Sequence, residues 1–206
     1  CTLQMLSYII DVYRGNVKVQ KNPADLALYV LMFSKMPGGP IVRYIEMEKQ
    51  LRARQISSGK VGEGAMYFIR GLSKKVLFAD NIGLLYDEVM ALEIGQMSVL
   101  SAWLGCIAFA LKIYYNLSGY TDMAIGLGKM TGFDFPENFQ YPYAAGSTTE
   151  FWYKWHMSLG AWFREYVYHP LGGGDTEESK QVRNILLIWL LVGLFRGPSL
   201  NYLIWG

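Results

Sequence analysis

Residues 94–111, IGQMSVLSAWLGCIAFAL, run for 18 positions without a formal charge between Glu93 and Lys112. As a helix rising about 1.5 Å per residue, such a stretch is long enough to cross a hydrocarbon core. It is the clearest spanning segment of the chain and sets the expected class: an all-α membrane protein. The composition agrees. Of 206 residues, 52% are hydrophobic and 15% aromatic, and the mean hydropathy is +0.15. Six Trp, fifteen Tyr and ten Phe suit a surface that meets the lipid–water boundary, where amphipathic rings are favoured. The 17% of charged residues is too high for a bundle whose helices face only lipid.

Other functions are excluded early. A net charge of +2 and the lack of a basic run argue against nucleic acid. Cys1 and Cys106 have neither metal-ligand spacing nor a disulfide framework, and Cys106 reads as packing inside an apolar run. The segment GLGKMTG at 126–132 fails the dinucleotide spacing.

A second spanning candidate covers Asn184 to Trp205, interrupted at Arg196 and Pro198. Arg196 is the only formal charge in the last 23 positions. A cation at the centre of a membrane helix costs ~2.5–3.5 kcal/mol on insertion scales, so intramembrane ionisable groups default to a functional reading. Pro198 removes an N–H and predicts a kink whose freed carbonyls Arg196 would equally satisfy. Ala24 to Met36 is apolar but short and runs into PGGP at 37–40, the pattern of a re-entrant or partly inserted piece. Tyr44 to Gly59 carries Glu46, Glu48, Lys49, Arg52 and Arg54 at helical spacing and reads as a solvated helix and loop; its cations, with Lys60 and Lys74–Lys75, lean to the cytoplasmic side. Ser147 to Tyr168 predicts one amphipathic helix, opened by a capping box of Ser147 with Glu150. Its aromatic face holds Trp152, Trp155, His156, Leu159, Trp162, Phe163 and Tyr166. The chain opens on Cys1 and closes on Gly206, each within an apolar stretch. The expected architecture is therefore a polytopic helical bundle with re-entrant or interfacial helices, incomplete at both ends, forming one partial membrane domain over residues 1–206.

Long motifs then become specific: LSYIIDVYRG at 6–15, GGPIVRY at 38–44, GLSKKVLFADN at 71–81, IYYNLSGYTDMAIGLGKMTGFDFPENFQYPY at 113–143 and EFWYKWHMSLGAWFREYVYHPLGG at 150–173. In this order they resemble the membrane-bound O-acyltransferase family, and within it the bacterial alginate O-acetyltransferase type. The resemblance implies a multi-pass enzyme of the bacterial cytoplasmic (inner) membrane. It would move an acyl group, by preference acetyl, from a thioester donor such as acetyl-CoA onto hydroxyls of an exported polysaccharide. No bound cofactor is expected. The implied partners are membrane lipid, the polysaccharide acceptor and periplasmic or extracellular acetyltransferase proteins.

The same resemblance places the site. Residues 193–201 read Gly-Leu-Phe-Arg-Gly-Pro-Ser-Leu-Asn where the family usually has G-L-W-H-G-x-x-x-N, so the catalytic histidine position falls on Arg196. A neutral imidazole accepts a hydroxyl proton; a guanidinium, always protonated, can only bind an anion or steady an oxyanion. His156 matches the family's other histidine, as a substitute base or orienting group, against the alternative of a hydrogen-bonded core histidine. Asp122, Ser118, Tyr120, Trp155 and Asn201 are the substrate-binding candidates; for Asp122 an ion pair with Lys112 or Lys129 would account equally well for its presence. His169 receives no role. Three other readings stand beside acetyl transfer: D-alanyl transfer to teichoic acid, a non-catalytic member of the family, and a transporter with helices broken at PGGP and FRGP.

Overall fold

The computed structural model describes residues 2–35, 38–174, 177–197 and 199–205, with the backbone alone described for Ser34, Ile94, Phe195, Arg196, Leu203 and Trp205. Among the described residues the fold is all helix, with no strand. Ten α-helices follow one another: α1 (Thr2–Tyr13), α2 (Pro23–Leu31), α3 (Tyr44–Ala53), α4 (Ser58–Ser73), α5 (Asn81–Met90), α6 (Val99–Met130), α7 (Thr148–Lys154), α8 (Met157–Phe163), α9 (Glu178–Arg196) and α10 (Leu200–Trp205). Two π-helical turns, Lys74–Asp80 and Arg164–Tyr168, continue α4 into α5 and extend α8.

The candidate spanning helix is shifted and longer than the charge-free run. Ile94–Gln96 forms a separate tight turn; Ser98 then caps α6, its hydroxyl accepting the Ser101 N–H at 3.1 Å. At 32 residues α6 is about 48 Å long and, among the described residues, is the one helix apolar and long enough to cross a membrane. Its first half turns apolar side chains outward, including Leu100 (79% exposed) and Trp103 (65%). Cys106 is exposed there too, which corrects its reading as a packing residue: the apolar run supplies an outer surface, not a core. The second half of α6 is buried and polar, with Ser118, Thr121 and Asp122 all beneath the surface.

Glycine explains how that half is covered. A Cβ placed on Gly64 of α4 would lie 2.6 Å from the Gly126 carbonyl oxygen, and one on Gly71 only 2.5 Å from that of Gly119. The two pairs are seven residues apart on each antiparallel helix, so the backbones of α4 and α6 meet directly over two turns. Small residues permit this approach, and packing of this kind is the main source of helix association in lipid.

Two aromatic clusters complete the core. In one, Tyr8, Tyr29 and Tyr44 meet edge to face around Met47 and Val42. Tyr44 and Met47 are buried, so α3 is a charged helix with an anchored inner face rather than a wholly solvated one. Lys35 lies inside this cluster, its ammonium donating to the Tyr29 carbonyl at 2.7 Å, and burial lowers its pKa to about 8. In the other cluster, the Trp162 indole N–H donates to the Leu3 carbonyl at 3.0 Å. The Tyr166 hydroxyl donates to buried Asp11 at 2.6 Å, which ties α1 to α8 and its π-turn.

Three expectations are corrected here. The predicted helix 147–168 is broken at Trp155 and His156, where His156 takes left-handed backbone angles (φ 44°, ψ 55°). The Ser147 cap is present, accepting the Glu150 N–H at 3.1 Å, but the Glu150 carboxylate reaches the Gly146 N–H rather than that of Ser147. The stretch 184–205 breaks where the sequence marked it, α9 ending at Arg196 and α10 beginning at Leu200 with Gly197 at φ 160° between them, but among the described residues neither piece is long and apolar enough to be the second span expected there. Pro198 itself lies outside the described residues. The helix of the 24–36 stretch, α2, already ends at Leu31 and a 3-10 turn follows at Phe33–Lys35, so the helix stops ahead of the PGGP segment. Its described part docks on α6, where Thr121 donates to the Gly38 carbonyl at 3.2 Å.

Gly126→Ala should therefore lower the thermal midpoint of the detergent-solubilised protein, at an overpacking cost of about 1–3 kcal/mol. Gly62→Ala, where a Cβ meets nothing within 4 Å, should be neutral or slightly stabilising. Equal effects of the two substitutions would refute the seam.

Candidate active site

Asp122 is the polar centre of the α4–α6 contact. One oxygen, Oδ2, receives the Lys74 ammonium at 2.7 Å and the Arg70 Nε–H at 3.1 Å. Lys74 also donates to the Ser118 hydroxyl at 2.8 Å, one turn earlier on α6. The sequence offered Lys112 or Lys129 as partners; the structure assigns them elsewhere, to Asp87 and Glu63. The reason is geometric. Arg70 and Lys74 sit one turn apart, Lys74 at the start of the π-turn, on the side of α4 that the glycine seam presses against Asp122. Asp122 is only 11% exposed at its side chain and Lys74 24%, whereas Arg70 is 51% exposed with its guanidinium 4.4 Å over the Tyr67 ring.

Trp155 centres an aromatic box. Phe151 stacks on it at 5.5 Å, Phe139 meets it edge-on at 5.2 Å, and Tyr143 and Tyr114 lie at 6.1 and 6.3 Å. His156, next in sequence, has its ring 5.8 Å from Phe139. Tyr114 lies on α6 one turn before Ser118, so the same helix carries a wall of the box and the charged cluster. The structure thus gathers Ser118 and Asp122 in one group and Trp155 and His156 in a second, with Tyr114 between them. Tyr120 faces away toward the Gly38 loop and the Lys75 ammonium, 5.9 Å from its ring. Asn201 lies exposed on α10. Arg196 is the last residue of α9, and its side chain is outside what is described.

The left-handed backbone at His156 is a second feature of this region. Histidine tolerates that region better than most side chains, yet a non-glycine residue there costs of order 1–3 kcal/mol and persists only where its surroundings fix it. Tyr141, at φ 48°, is the other such residue among the described ones, and between 138 and 157 two backbone hydrogen bonds join the segments: Gln140 N–H to Lys154 O at 3.1 Å and Met157 N–H to Asn138 O at 2.9 Å. Sequence reading missed Arg70, Lys74, Tyr114 and Asn138. The four lie inside or beside quoted motifs, but no local spacing distinguishes them, because the partners that reveal them are 20 to 52 residues away. No group of three or more metal-ligating side chains occurs among the described residues.

The model of the membrane-bound O-acyltransferase family matches residues 11–206. The chain belongs to this family. It is 42% identical over 203 residues to a probable alginate O-acetylase of Pseudomonas syringae, covering 98% of this chain and 39% of that protein. It is 32% identical to a peptidoglycan O-acetyltransferase of Helicobacter pylori, across the whole chain and 44% of the relative. A teichoic acid D-alanyltransferase of Bacillus subtilis is 27% identical, again across the whole chain and 54% of the relative. The chain therefore spans about two fifths to one half of the length of these curated relatives. The family is a membrane-bound one, and membership is consistent with a membrane location for this chain.

The cluster at Asp122 makes a graded prediction. Asp122→Asn, which leaves two cations facing no carboxylate, should destabilise most, on the order of 3–5 kcal/mol. Lys74→Met should cost less and Arg70→Gln least, since Arg70 is half in solvent. Thermal unfolding in detergent ranks the three. An Arg70 variant as damaging as the Asp122 variant would contradict the assignment.

Proposed function

We propose that the protein takes part in acyl transfer, acetyl by preference, to hydroxyls of an exported cell-surface polysaccharide. The observation that carries this reading is the family match over residues 11–206, together with relatives named for acyl transfer to alginate, peptidoglycan and teichoic acid. Acetyl is favoured over D-alanyl by the higher identity to the alginate and peptidoglycan enzymes. In this reading the chain is part of a multi-pass helical bundle in the bacterial inner membrane, with α6 as one of its spans. The acyl group arrives as a thioester such as acetyl-CoA, and periplasmic acetyltransferase proteins are partners downstream.

The chemistry sets the roles. The acceptor oxygen attacks the thioester carbonyl and gives up its proton as the C–S bond breaks and the thiol leaves. His156 is the group able to take that proton as a neutral imidazole. Trp155 and its neighbouring rings offer flat apolar faces to a sugar, while Ser118, Asp122 and Asn201 supply the polar contacts. Arg196 stands at the family's catalytic histidine position and serves an anion: the donor's phosphates, an acceptor carboxylate or the tetrahedral oxyanion.

One observation favours a second reading. Because Arg196 cannot act as a base, the chain would keep the family fold and bind the same partners without turning over. Acetyl transfer in membranes holding the full-length protein separates the two. Arg196→His should raise the rate by at least ~10², and His156→Ala should lower it more than it lowers protein level. An Arg196 enzyme that already matches its histidine variant would contradict the role given to this position. Equal losses of rate and protein level on His156→Ala would make that histidine a packing residue.

A further inference from the structure

We propose that Asn138 is a positioning residue that holds His156 in its left-handed turn and so sets the direction of the imidazole. Asn138 is 1% exposed, and every acceptor it owns is spent on the two residues that follow His156. Its backbone carbonyl accepts the Met157 N–H at 2.9 Å. Its Oδ1 accepts both the Ser158 N–H and the Ser158 hydroxyl, each at 2.9 Å. The Ser158 hydroxyl oxygen in turn accepts the Ile41 N–H at 2.9 Å, which fastens the turn to the loop after PGG.

These bonds fill a specific vacancy. Met157 and Ser158 begin α8, and the first N–H groups of a helix have no partner within it. A capping side chain normally comes from the residue just before the helix. Here that residue is His156, and its side chain makes no capping bond. Asn138 caps from 19 and 20 residues away, so the capping duty does not fall on the imidazole. The next two residues complete the hold: Phe139 sets its ring 5.8 Å from the imidazole, and the Gln140 N–H donates to the Lys154 carbonyl on the other side of the break. Residues 138–140 thus grip the chain before and after His156. Asn138 Nδ2 is buried with no hydrogen-bond partner among the described residues, so the side chain is kept for its acceptor rather than for a fully satisfied amide.

The importance of the imidazole direction rests on the acyl-transfer reading, but the hold itself does not. The test therefore uses the reactivity of His156 toward diethylpyrocarbonate, read by mass spectrometry on the full-length protein. His169, exposed and outside the turn, is the internal reference. Asn138→Leu should raise the His156 rate several-fold, at least about three-fold for loss of a turn held against its own strain, while His169 is unchanged. Asn138→Asp, which keeps the acceptor, should bring the His156 rate back toward that of the unaltered protein. An unchanged His156 rate in folded Asn138→Leu, or a parallel rise at both histidines, would overturn the proposal. If Asn138→Leu does not fold, Ser158→Ala removes one of the two donors to Oδ1 and decides by the same criterion. Where acetyl transfer is measurable, Asn138→Leu should lower kcat with KM unchanged and add nothing on top of His156→Ala. A protein with no transfer activity would defeat the acyl-transfer reading and leave the reactivity result standing.

Discussion

Direct backbone contact between α4 and α6 is the constraint on which the site depends. Gly64 and Gly71 face Gly126 and Gly119, so any side chain at these four positions would push the helices apart. Close approach gains dispersion contacts along two helical turns, which is the favourable term that survives when both faces would otherwise touch lipid. It also carries Lys74 and Arg70 on to Asp122 and Ser118. A buried carboxylate is costly unless paired, so the seam and the ion cluster require each other.

From this cluster the arrangement runs outward through one side chain. Tyr114, one turn before Ser118 on α6, belongs to the ring box around Trp155, and the box leads to His156 at a break between two short helices. The break matters chemically. In an unbroken helix His156 would share the face of Trp152 and Phe163, buried in an aromatic wall. The left-handed turn takes it out of that stripe and places it beside Phe139.

Much of this was legible beforehand, and the limits are physical. The charge-free run at 94–111 announced a spanning helix because lipid imposes a length and a polarity that composition alone reveals. The Ser147 cap was legible because its signal spans three residues. The partners of Asp122 were not: Lys112 and Lys129 were the near choices on the same helix, and Lys74, 48 residues away, became adjacent only through tertiary packing. The break at His156 was hidden for the opposite reason. Periodicity from Trp152 to Tyr166 fits a single helix well, and the turn that interrupts it is enforced by Asn138 from outside the segment. Motif order identified the family over nearly the whole chain, because that signal sums many positions.

The central claim is that helix separation at the glycines sets the Lys74–Asp122 contact, and a double-mutant cycle between Gly71→Ala and Lys74→Met measures it. If the wider spacing has already weakened the ion pair, the combined loss of unfolding free energy should fall short of the sum of the single losses by at least ~0.5 kcal/mol. Strict additivity would mean that the seam and the charged cluster stand independently, and the account given for the site would be wrong.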